Sequence, residues 1–231
     1  MFVDLSHRSS EIEIMDDLSI NEPVVFQTLK ELDFINSTLG GNKISLTAFN
    51  KAISSREKIS VMDLGSGSGE LLRKMCESAR LNNTVFEGYG IDANPFICQY
   101  AQQQTKDRLS VFFDSKDVLD PDCYKQQVDI IHACLFIHHF SRDQIIWLLR
   151  QWKNTARQTV IINDLHRHPI AYYSIKWLTN LFSKSSMVKY DAPLSVARGF
   201  TRKDWIDLLE EADITNYSLK WKWAFRWLLV F

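Results

Sequence analysis

Five short apolar runs, each with an acid or a polar residue at or within one position of its end, alternate with helix-patterned stretches through the middle of this chain. The runs are 59–64, 86–91, 109–113, 127–132 and 158–164. Helices are expected over 69–80, 95–105 and 141–155; in the last, Ile145, Ile146, Leu148, Leu149 and Trp152 make one apolar face. Such alternation predicts an α/β fold, a parallel sheet with helices on both faces. Ligands then bind beyond the carboxyl ends of the strands, near the switch point of strand order. Asp63, Asp92 and Asp164 all stand at such ends.

Residues 58–69 are the most informative stretch. Apolar and β-branched residues lead into Asp63, then Gly65, Gly67 and Gly69 alternate with serines, and a helix pattern opens at Glu70. Glycine is needed where the backbone turns through positive φ or touches a ligand. A dinucleotide loop would read G-x-G-x-x-G, but position 70 is Glu. An acid before the loop would repel a pyrophosphate and attract a cationic amino group. One βα unit later Asp92 ends a strand, a little over 20 residues beyond Gly69, where an acid meets ribose hydroxyls in doubly wound sheets. Asn94 and Pro95 open the next helix.

These two segments resemble motifs I and II of the class I S-adenosylmethionine (SAM)-dependent methyltransferases. The resemblance covers about residues 58–164 and the C-terminal hairpin. It implies a doubly wound, Rossmann-like sheet of seven strands with the last hairpin antiparallel. It implies SAM as cofactor, contacted by Asp63, Gly65, Ser66, Gly67, Gly69, Asp92, Ala93, Asn94, Asp117, Val118, Ala133 and Leu135. Asp92 would hold the ribose, and Asp117 with the Val118 N–H would hold the adenine. Residues 128–140, with the pair His138-His139, look like the family's segment after strand 4 in enzymes acting on small or lipid-like molecules. The C-terminus fits too: a helix over 202–212 capped by Thr201, then strands 214–223 and 225–231 that can only pair antiparallel.

Length and charge bound the rest. A chain of 231 residues suits one α/β domain with additions. A net charge of −1 leaves no basic footprint for nucleic acid. Cys76, Cys98, Cys123 and Cys134 are scattered, which argues against a zinc site or disulfide framework and for a cytoplasmic setting. The N-terminus lacks a signal pattern, and no apolar run is long enough for a membrane span. No metal is expected, a histidine cluster with Asp164 being the alternative.

Residues 1–56 read as an N-terminal helical cap: Asp16-Asp17, a helix begun near Pro23 and ended by Gly40-Gly41, and a second helix over 45–54. Residues 57–231 read as the methyltransferase domain, with 165–200 inserted as a substrate lid. The insertion carries a helix over 170–183 and the aromatics Tyr172, Tyr173, Trp177, Phe182, Tyr190 and Phe200, which could wall an apolar pocket or pack the lid down. The segments 164–169 and 197–201 resemble bacterial methyltransferases of polyketide and pigment pathways, whose relatives methylate phenols and quinone precursors. The expected reaction is methyl transfer (EC 2.1.1) to a small apolar or aromatic acceptor in secondary metabolism, with phenolic oxygen favoured. Positioning and desolvation carry most of such catalysis. A neutral histidine could deprotonate a phenol; the candidates are His138, His139, His166 and His168, with Asp164 orienting one of them or bonding substrate. The alternatives are a non-catalytic SAM-binding protein and a nicotinamide-dependent reductase, for which Tyr172 and Lys176 have the spacing of a Tyr-x-x-x-Lys pair. Oligomeric state is open, a dimer included.

Overall fold

The computed structural model of this chain describes residues 3–18, 22–54, 56–105 and 110–231. Seven strands form one sheet: β1 (Lys58–Leu64), β2 (Val85–Asp92), β3 (Val111–Ser115), β4 (Val128–Cys134), β5 (Ala156–Leu165), β6 (Ser218–Lys222) and β7 (Arg226–Val230). Their order is β3-β2-β1-β4-β5-β7-β6. The first five are parallel, and β7 pairs antiparallel with both β5 and β6. This is the Rossmann-like methyltransferase sheet, with its terminal hairpin reversed.

Among the described residues eight α-helices surround it: α1 (Glu22–Thr38), α2 (Gly41–Ala52), α3 (Glu70–Leu81), α4 (Pro95–Gln103), α5 (Arg142–Thr155), α6 (Pro169–Phe182), α7 (Ser186–Arg198) and α8 (Arg202–Glu211). Side chains alternate across a strand, so each central strand feeds two cores. Ile59 and Val61 of β1, with Ile130 and Ile161, meet Phe49, Leu72 and Met75 of α2 and α3. Met62 and Leu64, with Ile131 and Ile162, meet Leu148, Trp152, Trp205 and Leu209 of α5 and α8. Capping boxes at Ser141/Gln144 and Thr201/Asp204 start α5 and α8.

The observed elements differ from expectation in four places. The hairpin is shorter than 214–223 and 225–231, because residues 213–217 form a turn and connection before β6. The expected start of β3 at Leu109 lies outside the described residues, and the strand runs on to Ser115. The helix expected over 45–54 begins earlier, at Gly41, directly after Gly40 turns at φ 77°. Finally, α7 is a full helix that sequence periodicity does not announce: Pro193 lies inside it, and proline normally ends a helix.

Residues 3–18 form no long element, yet long-range bonds fix them to the domain. Ser9 N donates to Ala197 O, and Arg167 Nε donates to Leu5 O at 3.0 Å. Asp191 of α7 accepts from Ile14 N at 2.8 Å and Met15 N at 3.0 Å, holding the 3₁₀ turn Ile14–Asp16.

Candidate active site

A cavity of about 410 Å³ opens over the carboxyl ends of β1 and β4, where strand order reverses. Its floor is the loop after β1. Gly65, Gly67 and Gly69 all have positive φ, at 67°, 52° and 73°. A Cβ at Gly65 would stand 2.1 Å from the Phe136 ring, so only glycine lets that ring close over the loop. Ser66, Gly67 and Ser68 line the cavity, and the buried Ser66 Oγ has no partner. Asp92 lines it too; its Oδ2 accepts from Gly67 N at 3.1 Å and its Oδ1 from Asn94 N at 3.0 Å. Burial pushes the Asp92 carboxyl upward. Asn94 caps α4, accepting from Phe96 N at 2.9 Å, while facing the same space as Ala93.

Asp63 is held from behind by a histidine that sequence reasoning did not single out. His132 Nδ1 lies 2.7 Å from Asp63 Oδ1, and its Nε2 lies 3.0 Å from Ser45 Oγ of α2. Leu135, at φ 51°, presents a strained backbone to the cavity.

The opposite wall comes from outside the sheet. Glu13, Met15 and Asp16 of the N-terminal segment, Leu29, Leu32 and Asp33 of α1, and Val188, Asp191 and Ser195 of α7 line it, with His138 and His139 between them. Burial pushes Asp33 and Asp191 up to about 6 each.

The two histidines sit in different electrostatic settings. Asp164 is the hub of the turn that carries them. Its Oδ2 accepts from Phe136 N at 3.1 Å and Ile137 N at 3.0 Å, and its Oδ1 lies 2.7 Å from His138 Nδ1. His138 Nε2 faces Glu13 Oε1 at 3.5 Å. Burial pulls the His138 imidazole down, but the two carboxylates outweigh it and push it up to about 9. His138 is therefore an imidazolium at neutral pH. His139 is partly exposed, and its Nδ1 lies 2.7 Å from Asp16 Oδ1. Burial would raise Asp16, yet His139 and Arg198 bring it down to about 2. An anionic Asp16 fixes the proton on Nδ1 and leaves Nε2 as the basic nitrogen. Arg198 ties the turn down, donating to His139 O at 2.6 Å and to Asp16 Oδ2 at 2.9 Å.

Several expected site residues lie elsewhere. Asp117 and Val118 do not reach the cavity. Asp117 Oδ1 accepts from Leu119 N, Val118 O accepts from the Tyr124 hydroxyl, and the preceding strand β3 is an edge strand two places from the opening. Ala133 is buried in β4, paired with Leu64 and Ile162. His166 follows Leu165, which lines the cavity, so its ring turns the other way, against Trp227 and within 3.2 Å of Trp221 Nε1. His168 caps α6 and stacks on Phe225. The insertion's aromatics do not wall the cavity. Its lining from this region is Leu165 and α7 residues, and Tyr172 and Lys176 lie on α6, away from it. Glu13, His138 and His139 bring possible metal ligands within 4.8 Å of one another. Arg198 Nη1, however, lies 3.8 Å from the same Glu13 oxygen, so that carboxylate already has cationic neighbours.

Residues 61–159 match the family model described as "Methyltransferase domain". Those residues carry a methyltransferase-domain pattern, and the order of the sheet is that of the Rossmann-like methyltransferase fold. The chain is similar in fold to the plantazolicin methyltransferase BpumL in complex with SAH: TM-score 0.65, 17% identity, over 85% of this chain and 74% of that one. It is similar to magnesium protoporphyrin IX methyltransferase (ChlM) from Synechocystis PCC 6803 with bound SAH: TM-score 0.55, 12% identity, over 96% and 88%. It is also similar to human N-acetylserotonin methyltransferase in complex with SAM: TM-score 0.61, 18% identity, over 95% and 62%. No curated protein matches it at a significant level of sequence similarity.

Each of these three neighbours holds SAM or SAH, and the cavity of this chain suits such a group. SAM carries an ammonium and a sulfonium, and Glu13, Asp16, Asp33, Asp63, Glu70, Asp92 and Asp191 give the cavity an acidic lining. The glycine loop leaves backbone exposed where side chains would intrude, and the unpartnered Ser66 hydroxyl supplies a free polar atom.

Proposed function

We propose that this methyltransferase methylates an oxygen, favouring a phenolic hydroxyl, on a small and largely apolar acceptor. The observation that carries the reading is the His139–Asp16 pair on the cavity wall. Bound SAM supplies an electrophilic methyl on a positively charged sulfur. Gly65, Ser66, Gly67, Gly69 and Ala93 would cradle it, with Asp63 toward its amino group and Asp92 toward its ribose hydroxyls. A carboxylate can accept from both hydroxyls. His139 Nε2 takes the acceptor's proton, and Asp16 on Nδ1 steadies the imidazolium that forms. His138, already protonated, is a positioning residue: with Asp164 it shapes the turn that presents His139.

Residues 1–56 would act as the cap and the 165–200 insertion as the lid of the acceptor side. Support comes from the wall they supply, Met15, Leu29, Leu32 and Val188 for apolar contact and Asp16 for the base. The test is turnover of SAM with a panel of phenols, carboxylic acids and amines, read as methylated product by mass. His139→Ala should lower kcat by about 10²- to 10⁴-fold on a phenol while SAM binding by calorimetry stays unchanged. Undiminished turnover by His139→Ala would remove the base from the scheme, and turnover of amines alone would refute the oxygen acceptor.

A further inference from the structure

Helix α6 carries an apolar stripe on the side away from its packing partner, which a helix needs only when that side too is covered. Ala171 and Thr179 are buried where α6 lies along α7. Outward, Ile170, Tyr173, Trp177 and Leu181 recur at i, i+3, i+7 and i+11, and Phe182 follows at the helix end. All five are exposed, Trp177 to 64% and Phe182 to 72%. Single exposed apolar side chains are ordinary; a stripe this long marks a contact surface.

The charge around the stripe narrows what it contacts. Residues 165–190 contain no acid, although the whole chain carries a net −1. Lys176 and Lys184 are exposed and Lys189 is partly so; among the described residues no ion pair joins their ammonium groups, though the Lys176 ammonium lies 5.8 Å from the Tyr172 ring and the Lys184 backbone N–H donates to Glu31. The acids at the rim are engaged: Glu31 takes Gln27 and Ser183, and Glu11 meets the Tyr190 hydroxyl. A second copy joined across a two-fold axis would bring together two patches of the same positive sign. An anionic lipid surface meets both halves of the pattern. Trp, Leu and Phe enter the boundary between headgroups and acyl chains, and the ammonium groups reach the phosphates. No described helix is long and apolar enough to cross a membrane, so the contact is peripheral.

We propose that the outer face of α6 docks this methyltransferase on an anionic membrane surface. The helix beneath it, α7, supplies Val188, Asp191 and Ser195 to the cavity, so the docked face and the acceptor wall belong to one helix pair.

The test is co-sedimentation of the full chain with phosphatidylcholine vesicles, with and without phosphatidylglycerol. The chain should pellet with the anionic vesicles and stay largely in solution with the neutral ones. Replacing Lys176→Gln and Lys184→Gln together should weaken the partition about 30-fold. Trp177→Ser with Leu181→Ser should abolish it, with circular dichroism and melting unchanged. Should that apolar pair misfold, the lysine pair decides alone. The proposal is overturned if the chain ignores both vesicle types or if the lysine pair binds like the parent. A self-associated chain that Trp177→Ser and Leu181→Ser turn into monomers, with no vesicle binding, also overturns it.

Discussion

His138 gives the clearest quantitative handle on the site. It is almost fully buried, with Asp164 at 2.7 Å and Glu13 at 3.5 Å, and burial is outweighed so that its imidazole rises to about 9 from an ordinary 6.5. A group raised on folding contributes stability that is fully present below its unfolded value and is lost as pH rises through its folded value. The window is therefore pH 6.5 to about 9, and the difference corresponds to about 3 kcal/mol at 1.36 kcal/mol per unit. Urea unfolding across that window should show the parent chain losing about that much stability toward alkaline pH. His138→Asn keeps a donor toward Asp164 but cannot carry the charge, so it should start less stable and lack this slope. The two proteins should then converge as pH passes 9. Parallel stability curves across the window would refute the imidazolium, and with it the assignment of proton removal to His139 rather than His138.

Two further expectations concern the cofactor loop. Gly65→Ala places a Cβ 2.1 Å from the Phe136 ring at positive φ and should cost about 3 kcal/mol or more, whereas Gly67→Ala, with its nearest neighbour 3.8 Å away, should cost only about 1 kcal/mol; thermal unfolding of the two variants checks the order. On the proposed ribose role, Asp92→Ala would remove an acceptor for two hydroxyls and should weaken SAM binding about 100-fold or more by calorimetry; an unchanged Kd would place the ribose elsewhere.

The parts of the fold with local causes were legible in the chain. Strand β1 with its glycine loop, and α5 with its apolar face and Ser141 cap, follow from neighbouring residues. Asp63 and Asp92 line the cavity, and their place there was legible because it follows from their standing at strand ends. Helix α7 was hidden because Pro193 breaks the pattern that periodicity relies on, while its contacts with α6 and the N-terminal segment hold it helical. Glu13 and Asp16 were hidden for a different reason. Their partners, Ser195 and Arg198, lie more than 180 residues away, and no spacing rule reaches that far. His166 misled because the strand end was placed correctly but the side of the strand was not, and a shift of one residue reverses it. His132 could have been suspected, since it is a histidine set between apolar residues, Ile131 and Ala133, in a buried strand.

The cavity is built from two unlike sources. Its cofactor floor comes from the loops after β1, β2 and β4, inside the segment shared with other methyltransferases. Its far wall comes from residues 13–36 and 188–195, which lie outside that segment. Change in the wall leaves the floor's backbone untouched, so one cofactor platform can be refitted to new acceptors by altering only the chain's flanks. On the proposed scheme the segment before the first regular helix serves chemistry as well as packing: a chain trimmed to that helix would keep the glycine loop and lose Asp16, leaving His139 without its carboxylate.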